Sequence, residues 1–234
     1  MRRLLWKAIC CWEERRLLYR KRAGRYDLAL WIYRFCGFRI DHYRRQTVAA
    51  LGLRSGDTVV DLACGTGLNL GLLERAVGPT GTVIGVDLTD AMLAVAKRRM
   101  EEAGWQNVEL VQADLSDYTV PEGVGGILST LALTLVPEYE RVVEGASHSL
   151  RPGGRMAILD MKRPDQWPEW LVRLATWLNK PYGVSLELAD RHPWEVVWGC
   201  MREVEYREFY FGALYLSVGE VTSLAQRDAP KEVR

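Results

Sequence analysis

The sequence has few of the residues that build metal sites and disulfide frameworks. It contains 3 histidines and 5 cysteines, and the cysteines lack the paired spacing of zinc sites. Disulfides persist mainly in oxidising compartments, so an odd set of scattered cysteines is typical of a reducing cytosol. We therefore expect a cytoplasmic protein without a bound metal.

Long hydrophobic runs are also missing. No window reaches about 18 uncharged apolar residues, so a transmembrane helix is not supported. Lys7 interrupts the first apolar patch, and the charged run EERR at 13–16 stands where a signal peptide would have small residues, so none is predicted. With 234 residues, 48% of them hydrophobic, the chain can bury one substantial core.

The net charge of +1 is unevenly distributed. Residues 1–54 hold 14 Lys and Arg against 4 Asp and Glu, a net +10 that leaves −9 for residues 55–234. The basic part is interleaved with the aromatic residues Trp6, Trp12, Tyr19, Tyr26, Trp31 and Tyr33. Such a segment can cover an acidic face of its own domain, rest on an anionic membrane surface, or touch nucleic acid. Since no nucleic-acid-binding module is recognisable, we expect no nucleic-acid partner.

From residue 57 onward, short apolar runs alternate with helical patterns, which indicates a parallel α/β sheet. Strands are predicted at 58–62, 82–87, 108–112, 125–131 and 155–160, with Pro152-Gly153-Gly154 introducing the last. Helices are predicted between them at 68–77, 90–103 and 138–150. Two further runs, 203–210 and 213–218, predict an antiparallel hairpin. Before the sheet, helices are predicted at 4–18, 26–35 and 41–51.

These elements predict a single domain in four parts. Residues 1–54 form a basic helical cover, and residues 55–163 form the ligand-binding core. Residues 164–200 form an aromatic lid or acceptor segment, and residues 201–219 form the terminal hairpin.

Three features stand at the ends of the first three predicted strands, where open α/β sheets bind ligands. Asp61 precedes a turn with Gly65 and Gly67, and glycine there lets a ligand approach bare peptide groups at a helix start. Asp87 lies 20 residues beyond Gly67 and can accept two ribose hydroxyls. Asp114 can accept a bond from an exocyclic amine. Each feature alone also fits a structural role, but their register favours a nucleotide-like ligand.

Two common nucleotide sites are disfavoured. The dinucleotide fingerprint needs a third glycine three residues after Gly67, and that position is Leu70. A phosphate-binding loop of the GxxxxGK[ST] type is also missing from the sequence. NAD and nucleotide triphosphates are therefore not expected.

The motifs resemble those of the class I S-adenosylmethionine-dependent methyltransferases. Residues 59–67, VVDLACGTG, are similar to the first motif of that family, (D/E)xGxGxG, and residues 85–93, GVDLTDAML, to the second. QAD at 112–114 resembles the acidic adenine motif, and LRPGGR at 150–155 the turn before the fifth strand. The nearest branch is the ubiquinone/menaquinone-biosynthesis methyltransferases and their lipid or small-molecule relatives. Ala63 departs from the pattern, since the family usually has its first glycine there, and we expect a slightly tighter turn.

The resemblance implies a Rossmann-like seven-stranded, mostly parallel sheet with an antiparallel C-terminal hairpin, helices on both faces and additional N-terminal helices. It implies S-adenosyl-L-methionine as cofactor, with S-adenosyl-L-homocysteine as product. The cofactor-binding residues that it implies run from the first strand to the end of the fourth: Asp61, Ala63, Cys64, Gly65, Thr66, Gly67, Asn69, Asp87, Leu88, Met92, Asp114, Leu115, Ser129 and Thr130.

Methyl transfer from a sulfonium needs mainly orientation and exclusion of water. A general base is needed only for a hydroxyl or a protonated amine, and Tyr26, Tyr33, His42 and His192 are weak candidates. His148 is expected on a helix surface.

Acceptor choice is expected in the N-terminal helices and in residues 164–200. A helical stripe is predicted there: Trp167, Trp170, Leu171, Leu174, Trp177 and Leu178, followed by Tyr182, Trp194 and Trp198. These residues either pack a lid on the sheet or wall an apolar acceptor pocket.

We expect methyl transfer to a quinone-like ring or a lipid amine, with peripheral membrane contact through the basic N-terminus. The alternatives are a soluble natural-product methyltransferase without membrane contact and a non-catalytic scaffold protein that binds the cofactor.

Overall fold

The computed structural model describes residues 39–179, residue 188 and residues 191–222. The first part contains α1 (Ile40–Ala50), β1 (Thr58–Leu62), α2 (Leu70–Val77), β2 (Thr82–Asp87), α3 (Asp90–Ala103), β3 (Val108–Gln112) and β4 (Val124–Thr130). A short 3₁₀ helix (Leu133–Leu135) follows, and then α4 (Tyr139–Ser149), β5 (Leu150–Met161), α5 (Glu169–Asn179), α6 (Pro193–Cys200), β6 (Arg202–Phe209) and β7 (Leu214–Glu220).

The strands form one seven-stranded sheet in the order β3-β2-β1-β4-β5-β7-β6. β1 to β5 pair in parallel, and β7 lies antiparallel between β5 and β6. The chain order reverses direction between β1 and β4, and ligands of open α/β sheets bind beyond the strand ends at such a point. The predicted fold class is therefore confirmed.

Alternate side chains along each strand point to opposite faces of the sheet. Both faces carry apolar side chains, and helices cover both of them. On one face, Val59, Val83 and Leu128 pack with residues of α1, α2 and α3. On the other face, Val60 and Ile127 pack with residues of α4 and α6. The inner strands are buried on both sides, which explains why their sequences are nearly continuous apolar runs.

The predicted strands and helices agree with the structure to within one or two residues, except at β5. That strand begins at Leu150 rather than at residue 155, because Val124 already pairs with Leu150. A register shift between Val124 and Gly126 then takes up the Pro152-Gly153-Gly154 segment inside the strand. The segment Pro152-Gly153-Gly154 therefore does not mark the start of β5, as the sequence had predicted. The helices predicted at 4–18 and 26–35 lie outside the described residues.

The aromatic segment at 164–200 divides into exposed and buried parts. Trp170, Leu174, Trp177 and Leu178 of α5 are exposed, with Trp170 at 66% and Trp177 at 68%. Trp167 precedes the helix, and Tyr182 lies outside the described residues. None of the helices in the described ranges is long and apolar enough to cross a membrane.

Trp194 on α6 is a core residue instead. It is buried, and its ring meets that of Tyr215 edge-on at 4.8 Å between centroids. Aromatic pairs in this geometry stabilise a core beyond their buried area.

We predict that Ile158→Ala lowers the free energy of unfolding by about 2–5 kcal/mol. Ile158 is fully buried in β5, where it pairs with β4 on one side and β7 on the other. Val204→Ala, on the edge strand β6 and 36% exposed, serves as control and should cost less than about 1 kcal/mol. Denaturant unfolding measures both values, and equal losses would contradict this arrangement of the core.

Candidate functional site

The turn after β1 presses against the end of β2. The N–H of Cys64 donates to the carbonyl of Val86 at 2.9 Å, and the N–H of Gly67 donates to the carbonyl of Cys64 at 3.0 Å. Three residues of this turn have positive φ, namely Ala63 at 57°, Gly65 at 57° and Gly67 at 77°. The turn therefore places peptide groups, rather than bulky side chains, beside the start of α2.

The two glycines of the turn differ in what they face. A Cβ at Gly67 would lie 2.6 Å from Leu70 Cδ1 and 3.1 Å from Ala96 Cβ, so this glycine allows α2 and α3 to pack closely. A Cβ at Gly65 would meet no atom within 4 Å, so this glycine faces open space. Gly65 is thus the position at which the backbone is open to a ligand.

Asp87 presents a carboxylate to the same space from the end of β2. Its Oδ2 accepts a hydrogen bond from the N–H of Gly65 at 2.9 Å, and its Oδ1 accepts one from the N–H of Thr89 at 2.8 Å. A carboxylate has about four lone-pair sites, so both oxygens keep capacity for a ligand. Burial raises the pKa of Asp87, and the two backbone donors oppose that rise.

Asp61 is fully buried below the turn and belongs to a polar network. Asn69 Nδ2 donates to both carboxylate oxygens of Asp61, at 3.2 and 3.1 Å. Arg44 Nη1 donates to Asn69 Oδ1 at 2.8 Å and to Thr130 Oγ1 at 2.6 Å. Burial raises the pKa of Asp61 to about 7, against the lowering effects of Asn69 and Arg44. Asp61 therefore positions the turn through Asn69.

A cleft of about 150 Å³ opens beside the turn. The predicted cofactor residues that line it are Ala63, Cys64, Gly65, Thr66, Asp87, Leu88, Met92, Leu115 and Thr130. Asp61, Gly67, Asn69, Asp114 and Ser129 are not among its lining residues. Most of the predicted residues thus converge on one cleft, and Asp61 and Asn69 support it from below.

Asp114 and Ser129 make local hydrogen bonds. Asp114 Oδ1 accepts a bond from the N–H of Ser116 at 2.8 Å, which fixes the turn that carries Leu115 into the cleft. Ser129 Oγ donates to the carbonyl of Leu62 at 3.1 Å and so joins β4 to β1. A contact of Asp114 with an adenine edge stays a prediction.

The far wall of the cleft is apolar. It consists of the segment after β4, with Leu131, Ala132, Leu135, Val136 and Pro137. Leu131 has a φ of 57°, a conformation that a non-glycine residue holds only at a cost of about 1–3 kcal/mol. Such strain persists only where the surrounding structure fixes the backbone.

Two polar side chains, Asp160 and Arg191, hold this wall in place. The Asp160 carboxylate, 2% exposed at the end of β5, accepts a bond from the N–H of Thr134 at 2.8 Å. Burial raises the pKa of Asp160 to about 6, although backbone donors oppose this. From the other side, Arg191 Nη1 donates to the carbonyls of Thr134 and Val136 at 2.8 and 3.0 Å.

Neither described candidate for a general base lines the cleft. His42 lies on α1 with its ring against Tyr43. His192 precedes α6, where Nδ1 lies 3.2 Å from Glu195 Oε1 and the ring packs on Trp194. Tyr26 and Tyr33 lie outside the described residues, so the base stays a prediction. Within the described ranges, no group of three or more His, Cys, Asp or Glu side chains could hold a metal ion.

Arg44 is the main site residue that sequence reasoning missed. It lines the cleft and is 4% exposed, while its neighbour Arg45 is exposed. Helical periodicity places these two arginines on different faces of α1, but it does not tell which face meets the sheet. Leu68 and the wall residues beyond Leu131 were also missed, since they follow the motifs without sharing their pattern. Thr89 was missed although it lies within the second motif at 85–93.

We predict that Ala63→Gly raises the free energy of unfolding by about 0.5–1 kcal/mol. Ala63 has a left-handed φ of 57°, which glycine adopts without strain. The control is Ala94→Gly, an exposed position inside α3, which should lower stability by about 1 kcal/mol. Denaturant melts of both variants measure the difference, and a loss of stability in Ala63→Gly would contradict the assigned turn conformation.

Comparison with known proteins finds similarity to methyltransferases over part of the chain. A family model described as a methyltransferase domain matches residues 59–154. The chain is 35% identical over 122 residues to an arsenite methyltransferase of Halobacterium salinarum, covering 52% of this chain and 31% of that protein. It is 35% identical over 124 residues to the ubiquinone/menaquinone biosynthesis C-methyltransferase UbiE of Pseudomonas putida, covering 52% of this chain and 48% of the relative. The chain thus spans half or less of the length of these relatives.

A solved structure supports the fold. Geranyl diphosphate C-methyltransferase from Streptomyces coelicolor A3(2), in complex with Mg²⁺, geranyl-S-thiolodiphosphate and S-adenosyl-L-homocysteine, superposes with a TM-score of 0.62. The match covers 77% of this chain and 75% of that chain at 16% identity, a level that shows shared fold alone. Residues 59–154 therefore match a methyltransferase domain, and the described residues share the fold of a solved methyltransferase.

Proposed function

We propose that the chain binds S-adenosyl-L-methionine in the cleft and transfers its methyl group to an apolar small molecule, leaving S-adenosyl-L-homocysteine. The observation that carries this proposal is the carboxylate of Asp87. It is held by the N–H groups of Gly65 and Thr89 at the mouth of the cleft, with lone pairs left for a ribose diol.

The described residues fit this cofactor. Gly65 leaves room for the methionine part beside bare peptide groups, and Leu88, Met92 and Leu115 offer apolar surfaces for the adenine ring. When bound, the cofactor supplies a methyl group that its sulfonium has already activated. Thr130 ends β4 within the lining of the cleft, so the reacting centre is expected beside it.

The chain's own contribution is orientation and exclusion of water. Among the described residues that line the cleft, the titratable ones are Arg44, Cys64 and Asp87. Burial, with the nearby carboxylates of Asp61 and Asp87, raises the pKa of the Cys64 thiol well above its usual value. The Cys64 side chain is therefore a neutral thiol in the lining of the cleft, and it acts neither as a base nor as a nucleophile. A site of this kind accelerates transfer by holding an already nucleophilic acceptor in line with the methyl group of the cofactor.

The apolar far wall supports the choice of acceptor. Leu131, Leu135, Val136 and Pro137 offer no charged side chain to an acceptor that enters beside Thr130. Pockets for such molecules combine apolar walls with few polar groups. A quinone-like ring or a lipid amine suits this surface. The name of one relative, a ubiquinone/menaquinone biosynthesis C-methyltransferase, also supports a quinone-like acceptor.

Asp87→Ala should weaken S-adenosyl-L-methionine binding by about 1–3 kcal/mol, because it removes charge-assisted bonds to the ribose. Glu102→Ala, an exposed change on α3, serves as control and should leave affinity unchanged. Isothermal titration calorimetry measures both. Equal affinity for the cofactor in the Asp87 variant and the wild type would contradict a contact between this carboxylate and the ribose.

Turnover is tested separately from binding. Incubation of the chain with methyl-labelled cofactor and lipid or quinone extracts, followed by mass spectrometry, should yield a labelled apolar product. Cofactor binding without a labelled product from any extract would favour the non-catalytic scaffold. A labelled polar product would favour the soluble natural-product enzyme.

We further propose that α5 rests on an anionic membrane surface from which the acceptor comes. Trp170, Leu174, Trp177 and Leu178 recur at helical spacing and are all exposed. Tryptophan suits the membrane interface, since its ring is apolar and its N–H is polar. The basic segment at 1–38 supplies charge of the right sign and joins the described part at Arg39, whose N–H donates to the Tyr210 hydroxyl at 2.8 Å.

The double change Trp170→Ala/Trp177→Ala should reduce co-sedimentation with phosphatidylglycerol vesicles about tenfold, because it removes two exposed rings from the bilayer contact. Trp198→Ala, a change on α6 outside the stripe, is the matched control and should retain binding. Deleting residues 1–22 measures the contribution of the basic segment. Unchanged sedimentation of the double variant would contradict membrane contact through α5.

A further inference from the structure

A second cavity shares the lining residues Arg44 and Leu68 with the cofactor cleft. It encloses about 300 Å³ between α1, α2 and α3. Its lining includes Gly67, Leu68 and Gly71, which are part of the turn and the first residues of α2. The two glycines allow close packing around the cavity, because a Cβ at Gly67 would meet Leu70 and one at Gly71 would meet Trp105. The cavity is distinct from the cleft, although the same turn forms one wall of each.

Four arginines from three helices converge on this cavity. Arg44 and Arg45 come from α1, Arg75 from α2 and Arg99 from α3, with Asp41 as the acidic residue of the lining. Four guanidinium groups and one carboxylate give this lining a net positive charge, which favours an anion. Arg75 and Arg99 belong to residues 55–234, which carry a net charge of −9, so their convergence with two arginines of α1 is unlike the rest of that part of the chain.

The arginines that can reach a ligand are those at the open side. Arg44 Nη1 is engaged with Asn69 and Thr130 in the network beneath the cofactor turn. Arg45 and Arg75 are exposed and, within the part of the chain that the structure describes, no hydrogen bond or ion pair engages their side chains. A pair of guanidinium groups in that position suits an oxyanion, because each offers a planar fork of donors.

Trp105 gives the cavity an apolar side. Its ring packs beside Gly71, where a Cβ would lie 2.6 Å from Trp105 Cζ2. The indole is half-buried between α2 and the end of α3. The cavity thus combines cationic groups with one flat aromatic surface. Arginines that only face solvent on a helix would not need such an aromatic neighbour.

We propose that this cavity is a binding site for a phosphate-bearing anion, distinct from the cofactor cleft. Arg45 and Arg75 hold the phosphate oxygens, and Trp105 packs against the organic part of the anion. Because Arg44 lines both cavities, the anion lies directly behind the network that positions the cofactor turn. The site is independent of methyl transfer, and its test requires no activity.

The test is calorimetric titration of inorganic diphosphate into the full chain. Wild-type protein should bind it, and Arg45→Gln/Arg75→Gln should bind it about tenfold more weakly or worse, because two guanidinium groups are lost. Arg98→Gln is the matched control, since Arg98 is an exposed neighbour on α3 outside the cavity lining. The affinity of the wild type should fall as salt concentration rises.

Three results would overturn the site. They are equal affinity in the double variant and the wild type, an equal loss in Arg98→Gln, and no binding to the wild type up to about 10 mM diphosphate, a weak-affinity limit. Because Arg45 and Arg75 are exposed, their replacement should leave thermal melting unchanged.

Vesicles distinguish a lipid headgroup from a soluble phosphate. If a phospholipid supplies the anion, phosphatidic acid vesicles should pellet the wild type, diphosphate should release it, and the double arginine variant should pellet less. If the anion is soluble, vesicles should leave diphosphate affinity unchanged. In both cases Trp170→Ala/Trp177→Ala should retain diphosphate binding, since α5 contributes no residue to the cavity.

Discussion

Burial of the Asp61 carboxylate is the constraint on which the site depends. A carboxylate without solvent needs hydrogen-bond donors, and Asn69 offers its amide to both oxygens. Asn69 is fixed in turn by Arg44 from α1 and by Thr130 from β4. One polar network therefore ties together the end of β1, the start of α2, the end of β4 and a helix that precedes the matched methyltransferase domain.

Three buried carboxylates near the ends of β1, β2 and β5 have different roles because their partners differ. Asp61 is satisfied by side chains and positions the turn. Asp87 accepts hydrogen bonds from backbone N–H groups and keeps further lone pairs that face the cleft. Asp160 fixes the wall after β4 through Thr134. The cleft is thus preorganised on both sides before any ligand enters, and preorganisation is what methyl transfer requires of the protein.

Much of the sheet could be predicted from the sequence, because apolar strands and their glycine or proline punctuation are local signals. Asp87 and Gly65 were also predictable, since motif spacing puts them at strand ends. Arg44 was not, because only the packing of α1 on the sheet separates it from Arg45. The start of β5 was missed for a similar reason, as its first pairing depends on Val124 in another strand. The exposed face of α5 likewise depends on what the helix packs against.

A crystal structure of the chain grown with S-adenosyl-L-homocysteine tests the proposed cofactor site most directly. We expect the ribose diol within hydrogen-bonding distance of the Asp87 carboxylate, with the adenine ring between Met92 and Leu115 and the homocysteine part along Gly65. Density for the ligand in the arginine cavity instead, or a ribose directed away from Asp87, would contradict the assignment of this cleft to the cofactor.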